Sequence, residues 1–112
     1  MQLVEYQTEE GRSPFADWFN ELASPAAAKV TTAMIRLERG NTSNVEGVGS
    51  GVFENKIDFG PGYRVYFGMD GKELIILVGG GSKQRQSRDI ELAKARWADY
   101  KQRKKITQKG VS

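Results

Sequence analysis

The run Tyr63-Arg64-Val65-Tyr66-Phe67 alternates in a way that puts a cation where phosphate chemistry could use one. Side chains on a strand point to opposite faces in turn. Tyr63, Val65 and Phe67 therefore share a core-facing side, and Arg64 and Tyr66 look outward. Upstream, Phe53, Asn55, Ile57 and Phe59 alternate with Glu54, Lys56 and Asp58. If the two polar faces coincide, Arg64, Tyr66, Lys56 and Glu54 gather on an open sheet surface. Arg grips a phosphate with two parallel N–H bonds. Lys supplies a point charge or, beside other cations, a general base. Tyr stacks on a base. A polar strand face of mixed charge is more often a solvated sheet surface, and on alternation alone that ordinary reading is favoured.

The segment Gly79 to Asp89, GGGSKQRQSRD, is the second place where chemistry could sit. Amides of a Gly-rich turn cradle anions, and a helix N-terminus adds partial positive charge. Lys83, Arg85 and Arg88 add whole charges. Asp89 could cap the helix or orient a neighbouring cation. The Walker A spacing is absent, as is a dinucleotide fingerprint. The competing reading is a flexible strand-to-helix connection with solvated charges. The basic tail Lys101, Arg103, Lys104, Lys105 and Lys109 reads as a solvated helix end, with contact to RNA or an acidic partner as the alternative. Phe15, Trp18, Phe19 and Trp97 sit in amphipathic patterns and read as core.

Other chemistries are excluded by what is missing. The chain has no Cys and no His, which removes disulfides, thiolate metal sites, a Ser-His-Asp triad and the commonest zinc ligand. A length of 112 residues with 38% hydrophobic and 28% charged residues predicts one soluble domain. MQLVEYQTEE lacks the features of a signal peptide, and the apolar run Leu74 to Val78 is too short to span a bilayer. A cytoplasmic protein without a membrane partner is expected. The net charge of +3 and the pI near 9.3, with cations concentrated after Ser82, point towards nucleic acid.

The elements that must position these residues follow from periodicity. Residues 2–7 predict a strand. Ser13-Pro14 starts a short helix, and Ser24-Pro25 starts a second that ends at Gly40. Their short connection predicts an antiparallel helical pair. Asn41 to Gly51 reads as loop. Val52 to Phe59, Tyr63 to Phe67 and Leu74 to Val78 predict three strands in a meander, turned at Gly60-Pro61-Gly62 and Asp70-Gly71 and ended by Gly79-Gly80-Gly81. A last helix is expected from about Ser87 to Lys101. The order predicts an α+β fold with N-terminal strand, helical hairpin, antiparallel β-meander and C-terminal helix, the helices on one sheet face. The domain is expected over residues 1–104, with 105–112 a basic flexible tail.

Four features in order resemble the phage-derived addiction module killer (HigB-like) branch of the RelE/ParE/HigB toxin superfamily. They are Asn55-Lys56-Ile57-Asp58-Phe59 leading into GPGYRVYF, the strand LIILV, the stretch GGGSKQRQSRDI, and the preceding helical hairpin. The resemblance implies a RelE-like toxin of a type II toxin–antitoxin system, neutralised by a cognate antitoxin that is often a helix-turn-helix DNA-binding protein. RelE-like members cleave messenger RNA on the ribosome without metal or cofactor, through attack of the 2′-OH on the adjacent phosphate. Arg64 matches the strand arginine and would bind phosphate and stabilise transition-state charge. Lys56 would hold the substrate backbone or act as base, and Lys83 would neutralise the phosphate or leaving group. Tyr66, Arg85, Gln86 and Asp89 would contact substrate. The tyrosine that RelE-type members carry early in the last helix is absent; Asp89-Ile90 stands there, and Tyr66 is the substitute for stacking. Two alternatives stay open: a ParE-like gyrase inhibitor, and a non-catalytic RNA- or protein-binding module.

Overall fold

Ser13 and Pro14 start the first helix as their chemistry demands. The Ser13 hydroxyl accepts the Ala16 N–H at 3.0 Å, and Pro14 takes the first turn. The computed structural model describes residues 1–111. Its elements are β1 (Gln2–Glu5), α1 (Pro14–Asn20), α2 (Ser24–Glu38), β2 (Val45–Gly49), β3 (Val52–Ile57), β4 (Tyr63–Asp70), β5 (Leu74–Ser82), a 3-10 turn (Lys83–Arg85) and α3 (Gln86–Val111). Ser24 is the first residue of α2 rather than its cap; Ala23 holds the cap position and supplies no side-chain bond. Gly40, at φ +89°, closes α2 by donating its N–H to the Leu37 carbonyl.

The five strands lie in the order β1-β5-β4-β3-β2. β2 to β5 form the antiparallel meander, and β1 runs parallel to β5. The sequence reading misses β2. Its residues VEGVG offer no alternation because two are Gly and the pairing with β3 shifts between Gly47 and Gly49, which puts Val45 and Val48 against opposite clusters of the core.

A larger correction concerns the faces. α1 and α2 cover one side of the sheet, where Phe15, Val30, Leu37, Val65, Phe67, Ile75 and Leu77 pack together. α3 covers the other, where Ala93 and Trp97 pack on Val52, Tyr66, Ile76 and Val78. The helices are not confined to one face. β5 is the reason: Ile75 and Leu77 point one way, Ile76 and Val78 the other, and all four are buried. An apolar strand of both parities needs a cover on both faces.

The triple glycine does not end β5, which continues to Ser82. Each glycine lies beneath a large side chain. An added Cβ at Gly80 would come within 2.2 Å of the Trp18 ring, one at Gly81 within 1.9 Å of Asp89 Oδ2, and one at Gly79 within 2.6 Å of Arg96 Nη1. These residues leave space for packing, not for a flexible anion-binding turn. α3 runs past the expected end at Lys101 to Val111, so the tail expected from residue 105 is helical as far as described. Ser112 and the Lys109 side chain lie outside the described residues. Among the described residues no helix is long and apolar enough to cross a membrane.

Candidate nucleic-acid interface

Strand register gathers the cations at one end of the sheet. Lys56 pairs with Arg64 across β3 and β4, and Arg64 pairs with Gly81 across β4 and β5. One residue further, Tyr63 pairs with Ser82, and the Lys83 N–H donates to the Gly62 carbonyl at 3.0 Å. The GPGYR turn and the GGGSKQR segment are thus stitched together. Lys83 and Arg85 follow at once on the 3-10 turn, and Arg88 lies in the first turn of α3. All three are exposed, and none forms an ion pair among the described residues. Together with Gln84, Gln86 and Ser87 they line an open depression of about 370 Å³. Lys56 is half-exposed and holds Glu46 at 3.1 Å, an ion pair open to water and therefore weak.

Arg64 sits deeper, its side chain only 11% exposed. Its Nε lies 3.3 Å from Oε2 of Glu54, whose side chain is 3% exposed. The approach is off the N–H axis, so the contact is an ion pair without a hydrogen bond. Gln86 completes the group by donating its Nε2 to both Glu54 oxygens, at 3.3 and 3.0 Å. Its amide is therefore turned inward and is not available to substrate as expected.

Tyr66 corrects the sequence reading most sharply. It shares the face of Arg64, but α3 covers that face and the ring is fully buried. It cannot stack on a base. Its hydroxyl has no hydrogen-bond partner among the described residues. Burial, and then the Glu54 and Asp89 carboxylates, push its ionisation far above the ordinary tyrosine value. Asp89 also turns inward over Gly81, and its Oδ2 is buried without a hydrogen-bond partner among the described residues. Burial raises its pKa, against the opposing pull of Arg85, Arg96 and Arg88. It lies within the first turn of α3 and makes no capping hydrogen bond among the described residues.

Two comparisons bear on kinship. No protein-family model matches the chain. An uncharacterized protein of Haemophilus influenzae is 41% identical over 81 residues, covering 71% of this chain and 82% of the relative. The chain belongs to the same family as that protein.

Of the predicted residues, Lys56, Lys83 and Arg85 meet solvent at this end of the sheet; Arg64 reaches the same end but, contrary to the outward position expected of it, lies mostly buried in the layer beneath with Tyr66, Gln86 and Asp89. Sequence reasoning placed Glu54 near Arg64 but gave it no role; the shared face on adjacent strands was the available signal. Arg96 went unremarked. It lies across Gly79 and donates to the Val78 carbonyl at 3.0 Å, and only the three-dimensional packing reveals it.

Proposed function

We propose that the protein is the toxin of a type II toxin–antitoxin pair, a metal-independent endoribonuclease that cuts messenger RNA on the ribosome in the cytoplasm. The observation that carries this reading is the convergence of Arg64, Lys56, Lys83 and Arg85, from three chain segments, on one end of the sheet. Arg64 grips the scissile phosphate and stabilises charge as the 2′-OH attacks. The ester bond to the 5′-oxygen breaks, leaving a 2′,3′-cyclic phosphate. Lys56 holds the backbone or takes the 2′-OH proton, and Lys83 offsets charge on the leaving oxygen. Arg85 and Arg88 hold flanking phosphates. A cognate antitoxin keeps the activity in check. The test is a ribosome programmed with a defined message: wild-type protein should yield a 2′,3′-cyclic end, and Arg64→Ala should yield none.

The burial of Tyr66 favours one second reading. A surface without a stacking ring suits binding without cleavage, as in a ParE-like inhibitor of DNA gyrase. A supercoiling assay with purified gyrase separates the two: inhibition with intact messenger RNA would select it.

A further inference from the structure

We infer that Glu54 is a positioning residue for Arg64: it takes the guanidinium from behind and aims the opposite edge at the substrate. This rests on the reading of Arg64 as the phosphate-binding residue. A carboxylate with a side chain 3% exposed is costly unless its oxygens are engaged. Glu54 on β3 has both oxygens bonded by Gln86 of α3 and one facing Nε of Arg64 on β4. Three elements therefore fix one carboxylate. Tyr66, its cross-strand neighbour, walls it in.

Guanidinium geometry supplies the consequence. The group is planar, with donors on fixed edges. The Glu54 carboxylate sits against Nε without accepting its N–H, and Nη1 and Nη2 are left able to grip a phosphate in parallel. Among the described residues, Nε is the Arg64 nitrogen that is buried without a hydrogen bond. The Nη groups make no hydrogen bond among the described residues, the side chain keeps 11% of its surface exposed, and its strand position pairs with that of Lys56. Glu54 thus does not neutralise a catalytic cation by occupying its gripping edge. It sets the angle of that edge, and Gln86 holds Glu54 in place.

The test uses the full chain with Glu54→Gln and, should that variant fail to fold, Gln86→Ala, which keeps the ion pair but frees the carboxylate to swing. Two readouts are needed. One is single-turnover cleavage on programmed ribosomes. The other is NMR of the Arg64 Nε and Nη signals during titration with a 2′-O-methylated RNA trinucleotide, which cannot be cut. In Glu54→Gln the cleavage rate should fall by about 10²-fold while ribosome affinity changes little, because misplacement of a transition-state group acts on rate. Gln86→Ala should show a smaller loss of the same kind, and Glu54→Asp should recover part of the rate. The trinucleotide should shift Nη and not Nε in the wild type, and broaden both in Glu54→Gln. A wild type that shows this Nη response but never cleaves would sink the nuclease reading and leave the positioning role standing. Folded variants that cleave at the wild-type rate, or show an Arg64 response identical to wild type, would overturn the role of Glu54.

Discussion

Gly68→Ala should damage this fold more than its chemistry suggests. Gly68 lies on β4 beneath Trp97, a ring only 5% exposed that stacks on Tyr100 with centroids 5.4 Å apart. An alanine Cβ would fall 2.4 Å from two ring carbons and 2.6 Å from a third. Carbon atoms settle at roughly 3.5–4.0 Å, so ring or strand must move by about 1 Å. The ring has little room, because Gly51 lies against its Nε1 edge, where a Cβ would come to 2.9 Å. Overpacking of this kind costs about 1–3 kcal/mol. For a domain of this size that lowers Tm by roughly 4–12 °C. Gly47→Ala is the internal control. Its Cβ would make ordinary 3.8 Å contacts with Phe53, its φ is not positive, and its Tm should stay within about 2 °C of wild type. Thermal melts followed by circular dichroism provide the comparison. Equal melting of Gly68→Ala and wild type would refute the packing argument for α3 on this face.

Other perturbations address the site and the helix ends. Lys83→Ala or Arg85→Ala should reduce the slope of log affinity against log salt for single-stranded RNA by about 0.7 if each neutralises one phosphate; an unchanged slope would remove that residue from the interface. Tyr66→Phe should leave growth arrest intact and hold or slightly raise stability, because it deletes a buried hydroxyl without a partner among the described residues; loss of toxicity in a folded variant would return Tyr66 to the site. Asp70 accepts hydrogen bonds from Lys104 and Tyr100, each at 2.6 Å, which hold its pKa below the ordinary 3.8, while burial and this carboxylate push Tyr100 up to about 12. A depressed folded pKa gives stability that is complete above about pH 4 and is lost as pH falls through the folded value. Asp70→Asn should therefore flatten the acid limb of a urea-midpoint profile, and an unaltered acid limb would count against the pair.

Much of this architecture was legible because the local signals were strong. Ser13-Pro14, Gly40 and Asp70-Gly71 mark element boundaries by chemistry that depends on a few neighbouring atoms. β2 was not legible, since two glycines and a bulge erase the alternation that announces a strand. The triple glycine misled for a related reason. Glycine serves turns and close packing alike, and only the positions of Trp18, Asp89 and Arg96 show that packing is the use here. Tyr66 was misplaced because alternation sorts side chains into two faces without saying which face a helix will cover. The both-face burial of Leu74 to Val78 carried that information and implied a cover for Arg64 and Tyr66 as well. The proximity of Lys56 and Arg64 was readable from parity, whereas the inward turn of Gln86 and Asp89 depends on how α3 is rotated over the sheet.

Whether Arg64 acts on RNA decides between a nuclease and a binding protein. Mapping 3′ ends on a programmed ribosome, with wild type beside a melt-verified Arg64→Ala variant, is the decisive measurement. Discrete 2′,3′-cyclic phosphate ends with wild type and none with the variant are the predicted result. Identical cleavage by both, or intact message with both, would contradict the account.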